Sequence, residues 1–144
     1  MRPIEIRPAE PGDVEALASL SLQLGYPVSE ADVRAHLERG PSGEHRSLLV
    51  AVREGQVHGW VELATRSALE SGAWAEITGL VVDEAARGAG IGSQLVAAAR
   101  AWTRERGLAR LRVRTNATRE RTARFYERAG FELVKQQRVY DVAP

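Results

Sequence analysis

The chain has 144 residues, of which 44% are hydrophobic and 27% charged, with a formal net charge of +1; that suits one soluble domain with a real core and excludes a disordered chain. No apolar run approaches the roughly 18 residues that a membrane span needs, and the N-terminus has no secretory apolar stretch. Cysteine is absent, which excludes disulfides, thiolate metal sites and a cysteine nucleophile.

The expectations are therefore a single domain over residues 1–144 in the cytoplasm. His36, His45 and His58 are far apart and lack metal-ligand spacing, so no metal is expected and each reads as an ordinary polar residue. Charge is uneven. Residues 1–99 hold 8 Arg against 14 Asp/Glu, a net −6, and residues 100–144 hold 11 Arg and Lys135 against 5 Asp/Glu, a net +7. A basic part suits a polyanionic ligand and an acidic part a cationic one, while exposed arginines also serve solubility alone. No recognition-helix or zinc-finger pattern accompanies the charge, so nucleic acid is not the expected partner.

Ile4 and Ile6 alternate with Glu5 and Arg7, as in a first strand. Glu10-Pro11-Gly12-Asp13 reads as a helix start, with Pro11 at the first position, and Gly25-Tyr26-Pro27 as its stop. Ser29-Glu30-Ala31-Asp32 resembles a capping box opening a second helix to about Arg39. A loop at Gly40-Pro41-Ser42-Gly43 leads to strands over Ser47–Arg53 and Val57–Ala64, joined by a short turn at Glu54-Gly55-Gln56. A fourth strand, Trp74–Val82, ends in the continuous apolar run Leu80-Val81-Val82. A helix from about Gly92 to Arg106 places Leu95, Ala99 and Trp102 on one stripe, and Gly107 ends it. Leu111–Arg114 alternates as a strand, a helix follows from about Arg119 to Arg128, and Phe131–Val134 and Arg138–Val142 read as two last strands. The order predicts a mixed α/β sheet.

The most informative segment joins the fourth strand to the long helix: Val82-Asp83-Glu84-Ala85-Ala86-Arg87-Gly88-Ala89-Gly90-Ile91-Gly92-Ser93. Small residues let backbone approach a ligand, and amides at a helix start favour an anion such as a pyrophosphate. A P-loop would need a lysine here, and the only lysine is Lys135. A dinucleotide fingerprint would need glycine where Ser93 stands, and would follow the first strand of its domain rather than the fourth.

Arg87-x-x-Gly90-x-Gly92 resembles the Arg/Gln-x-x-Gly-x-Gly/Ala motif of the GNAT superfamily of acyl-CoA-dependent N-acetyltransferases. Leu80-Val81-Val82-Asp83 precedes it as in many members, and Phe125-Tyr126-x-x-x-Gly130-Phe131 resembles the family's later signature. The resemblance covers essentially the whole chain. It implies the GNAT fold: a mixed, mostly antiparallel sheet of about seven strands, splayed between strands 4 and 5 and flanked by four helices.

The resemblance further implies acetyl-CoA as co-substrate, without a metal, and direct transfer of its acetyl group to a primary amine of a small molecule. Arg87, Gly88, Ala89, Gly90, Ile91, Gly92 and Ser93 would hold the pyrophosphate. Leu80, Val81 and Val82 would pair with the pantetheine arm, and Asn116 would bond that arm, unless it is only a turn asparagine. Tyr126 matches the general acid that protonates the leaving thiolate; the rival reading is a core aromatic beside Phe125. Glu76 resembles a general-base glutamate, the rival being an exposed strand carboxylate, and Glu62 is a weaker candidate for binding the amine. If both glutamates line the acceptor side, the substrate is cationic, such as an amino sugar or a polyamine.

Some members carry Arg-x-x-Ala-His before the Phe-Tyr pair. Here Arg119 is followed by Thr122 and Ala123, so the role of that histidine is missing. A homodimer is compatible with the family, although the short final strands weaken the contacts longer members make there. Two other functions stay open: a protein acetyltransferase, whose peptide groove would be built by Leu20–Gly43 and a loop over Thr65–Ala73, and a non-catalytic acetyl-CoA-binding module.

Overall fold

A computed structural model describes residues 2–40 and 43–144. Pro41 and Ser42 of the expected loop lie outside the described residues. The chain divides into two compact units, Met1–Val113 and Arg114–Pro144.

The first unit is a five-stranded sheet in the order β1-β2-β3-β4-β5. Its strands are β1 (Glu5–Pro8), β2 (Arg46–Arg53), β3 (Gln56–Ala68), β4 (Gly72–Val82) and β5 (Leu111–Val113). The first four pair antiparallel and β5 joins β4 in parallel. Three helices accompany them: α1 (Val14–Leu24), α2 (Glu30–Glu38) and α3 (Ile91–Glu105).

Local chemistry sets these boundaries as the sequence predicts. Pro11 opens a 3-10 turn that leads into α1, and Gly25 closes α1 at φ 100, a backbone angle that glycine adopts without strain. The Arg7 guanidinium meets the buried Asp13 carboxylate through two hydrogen bonds of 2.8 and 3.0 Å, which holds that carboxyl below the usual range. Ser29 and Asp32 form the expected capping box at α2. Glu54 and Gly55 both take positive φ, as a two-residue hairpin turn demands.

Strand alternation then assigns the faces. Leu48 and Val50 of β2 join Val14 and Leu17 of α1 and Val33 of α2 in one core, with Trp60 of β3 packed on it. The neighbouring residue, Gly59, points the other way, toward Ile91 and Leu95 of α3. A Cβ at Gly59 would stand 2.8 Å from the Val81 carbonyl oxygen and 3.2 Å from Leu95 Cδ1. Gly59→Ala is therefore expected to lower stability by about 1–3 kcal/mol, read as a shift of the urea midpoint at constant slope.

Two expectations are corrected. The segment Thr65–Ala73 is not a groove-forming loop: β3 runs to Ala68, β4 starts at Gly72, and cross-strand pairing carries the hairpin to its tip. The final strands over Phe131–Val134 and Arg138–Val142 are absent from the described residues, and the sheet has five strands rather than about seven. A strand needs a hydrogen-bonding neighbour, and the one regular element of the second unit is the helix α4 (Glu120–Arg128). Apart from Phe131, the large apolar residues of those segments stay exposed, among them Val139 at 85% and Val142 at 90%.

Within the second unit Tyr126 of α4 is buried. Its ring meets Phe125 and Phe131 edge-on, at centroid distances of 5.1 and 5.3 Å. Gly130 ends the helix at φ 99. No helix among the described residues is long and apolar enough to cross a membrane.

Candidate active site

The splay between β4 and β5 is visible in the pairing. β5 reaches β4 only at Ala75, Glu76 and Ile77. Opposite Glu62 and Leu63 of β3 the register slips: Glu62 pairs with Gly79 and Leu63 with Ile77, which leaves Thr78 as the extra residue of a bulge. Beyond it, Gly79–Val82 keep β3 as ladder partner on one side and have none in the sheet on the other. That edge carries Leu80, Val81 and Val82, with Val81 buried and its two neighbours half-buried.

The glycine-rich turn follows directly. Asp83 caps a 3-10 turn over Glu84–Ala86 by accepting from the Ala85 amide. The Gln23 side chain, near the end of α1, donates to Asp83 and accepts from the Glu84 amide at 2.9 Å, which ties the turn to α1. Gly88 and Gly90 take φ 88 and 78, and nothing lies within 4 Å of where a Cβ would stand on either. Gly90 caps α3 without a side-chain bond, and the first backbone bond of the helix runs from the Gln94 amide to the Gly90 carbonyl. The amides of Ile91, Gly92 and Ser93 thus precede the helix's own bonding. Arg87 and Ala89 are exposed beside them, and buried Ile91 anchors the helix start. An open concave backbone with free amides and a helix dipole behind it fits an anion of pyrophosphate size.

Glu76 is 7% exposed, so the rival reading as an exposed carboxylate does not describe it. The Trp74 indole N–H donates to it at 3.2 Å, and Arg66 Nε lies 3.6 Å from its other oxygen. Arg110 and Arg112 flank the same Trp74 ring, at 5.3 and 5.1 Å from its centroid. Glu62 occupies a different setting. It lines a cavity of about 470 Å³ between α1, α2 and the middle of the sheet, together with Trp60, Thr78, Gly79 and His36. Glu76 is not among the residues lining that cavity.

His36 was passed over in the sequence, and it is the residue that fixes Glu62. Its Nε2 lies 2.5 Å from Glu62 Oε2, while the Thr78 hydroxyl donates to Oε1 at 3.1 Å. The signal was present, since His36 stands three residues after Val33 on the buried side of α2, but its partner lies 26 residues away on another element. Asn116, in the second unit, accepts from the Thr118 amide and hydroxyl at 3.0 and 2.9 Å, so its side-chain oxygen shapes the turn before α4. Burial raises the Tyr126 hydroxyl to about 12.

The profile of the acetyltransferase (GNAT) family matches residues 14–131. The chain belongs to that family. No curated protein sequence matches it. Among solved structures, the aminoglycoside N-acetyltransferase AAC(6')-Iy in complex with a bisubstrate analogue is 20% identical, with a TM-score of 0.88 over 99% of this chain and 100% of that one. The aminoglycoside antibiotic 6'-N-acetyltransferase AAC(6')-Ig of Acinetobacter haemolyticus is 17% identical, with a TM-score of 0.85 over 97% of this chain and 99% of that one. A protein described as a transcriptional regulator of Bacillus halodurans is 28% identical, with a TM-score of 0.84 over 97% of this chain and 100% of that one. The first two likenesses concern the fold. The family match runs through both units and includes the glycine turn, Glu62, Glu76 and Tyr126.

Proposed function

We propose that this GNAT-family acetyltransferase moves the acetyl group of acetyl-CoA directly to a primary amine of a small molecule, as one catalytic domain in the cytoplasm. The observation that carries this reading is the continuity of the unpaired β4 edge with the open glycine turn. An extended pantetheine arm would bond the backbone of Leu80–Val82 as an added strand, and the pyrophosphate would sit on the amides of Arg87–Ser93. The complexed neighbour named above is consistent with that ligand. Asn116 is a further contact to the arm on this reading.

In the reaction a substrate ammonium first gives one proton to Glu76 through water. The amine lone pair then attacks the thioester carbonyl, forming the C–N bond. Collapse of the tetrahedral adduct breaks the C–S bond, and the departing thiolate takes a proton from Tyr126. The adduct's nitrogen loses its remaining excess proton, which restores Tyr126, so one proton is released to solvent per turnover. The Trp74 indole N–H and Arg66 meet the two oxygens of the Glu76 carboxylate and hold it in place. Tyr126 suits its role because burial keeps its hydroxyl protonated through neutral and mildly alkaline pH.

The reading is tested by following free thiol release with acetyl-CoA and a panel of amines. Turnover with no amine would leave a binding module. The role of Glu76 has its own check, since a base accelerates only what is still protonated. Glu76→Gln should lower kcat/KM most at pH values where the substrate is an ammonium ion, and recover at high pH. Parallel pH–rate profiles for wild type and variant would remove Glu76 from proton transfer. A homodimer belongs to the same reading and is checked by light scattering.

A further inference from the structure

The cavity beside the β4 bulge has a composition that the proposed reaction does not by itself require. Leu17, Val33 and Leu48 are buried in its wall, and Trp60 supplies an aromatic face. The Trp60 ring lies where a Cβ on Gly79 would stand, 2.7 Å away, so the strand carries glycine there to admit it. Tyr26 and Val28 add exposed apolar surface, 60% and 38% accessible.

The cavity's polar groups are few, and most are already engaged. The Ser21 hydroxyl is spent on the Leu17 carbonyl of its own helix. Asp32 serves the capping box of α2, and Arg39 is exposed beyond the end of that helix. Toward the sheet stands one linked cluster, His36–Glu62–Thr78. His36 and Thr78 take one bond on each Glu62 oxygen and fix the carboxylate's direction, while each oxygen keeps a second lone pair. Thr78 is the bulged residue at which β4 parts from β5, so the carboxylate stands at the head of the unpaired edge. The other acidic candidate, Glu76, has Arg66 beside it and Arg110 and Arg112 about Trp74, which is a poor place to hold a cation.

We infer that the acceptor is a monoamine with an apolar, preferably aromatic, body: its single ammonium rests on Glu62, which His36 and Thr78 position, and its body fills the cavity against Trp60. This rests on the acetyl-transfer reading and narrows it. A polycation or a polyhydroxylated amino sugar would set further charges and hydroxyls against the apolar side chains of Leu17, Val33 and Leu48, which is costly. The Glu62 carboxylate and the Trp60 face suit a single ammonium joined to a ring by a short chain, the cavity's other carboxylate, Asp32, being engaged at the α2 cap.

The test compares phenethylamine, spermidine and kanamycin as acceptors under steady-state conditions, with calorimetric binding of phenethylamine measured alongside. Phenethylamine should be preferred in kcat/KM by about 10-fold or more. Glu62→Gln should raise its KM and its dissociation constant by about 10-fold or more, with KM for acetyl-CoA unchanged. His36→Gln should move the same two constants in the same direction by less, because it loosens the carboxylate without removing it. Preference for spermidine or kanamycin would overturn the inference. So would a Glu62→Gln variant that loses kcat at unchanged KM, since Glu62 would then take part in the chemistry instead of binding. Phenethylamine binding that Glu62→Gln weakens, in the absence of turnover with any amine, would support the cavity assignment and sink the acetyl-transfer reading. No binding of phenethylamine would sink the cavity assignment alone.

Discussion

Gly90→Asp is expected to weaken acetyl-CoA binding by about 100-fold, equivalent to the loss of two charge-assisted hydrogen bonds at about 1.5 kcal/mol each. Gly90 sits at the N-cap of α3 with φ 78 and open space around the position of its missing Cβ. An aspartate fits there sterically, and of the residues with side chains it is among the more tolerant of positive φ. Its carboxylate would bring a negative charge into the open space before the first helical turn. The variant therefore folds and carries its own anion in the place proposed for the pyrophosphate. Gly90→Ala separates the two effects, because it brings the same backbone strain, about 1–2 kcal/mol, without the charge. Calorimetric titration of both variants checks the claim. Equal affinity in wild type and Gly90→Asp would remove the proposed cofactor site.

Tyr126→Phe is the second large effect. It keeps the ring between Phe125 and Phe131 and deletes the hydroxyl. A fall in kcat of about 100-fold is expected, the low end for the loss of a general acid, with acetyl-CoA affinity little altered. The pH dependence follows from the same environment. Because burial raises the hydroxyl to about 12, the acid form persists across the neutral and mildly alkaline range. The wild-type rate should then show no descending limb from this group until the pH nears that value. Wild-type turnover by Tyr126→Phe would reassign the residue to packing. A descending limb near pH 8 that the substitution abolishes would contradict its burial.

Several features that depend on the order of neighbouring residues were legible in the sequence. The capping box at Ser29, the stop at Gly25 and the tight turn at Glu54-Gly55 are each decided within four or five residues, by backbone torsions and local hydrogen bonds. The glycine turn was legible for the same reason, and with it the family, because its small residues and its following helix are contiguous. The apolar run of β4 likewise announced a strand between covering layers.

What the sequence misjudged or missed depends on pairing and packing between elements. Val139, Tyr140 and Val142 have the alternation of a strand, yet alternation supplies no neighbour to bond with, and none is assigned over those residues. Thr65–Ala73 looked polar enough for a loop, whereas pairing of β3 with β4 carried the hairpin through it. The sequence offered Glu76 as a base and Glu62 as a weaker site for the amine, but not what surrounds either. Tertiary structure gives them different surroundings, setting Trp74 and Arg66 around Glu76 and bringing α2 across the sheet to lay His36 on Glu62. That last contact joins two elements 26 residues apart, and only the packing of Val33 and Leu48 into one core brings them within a hydrogen bond of each other.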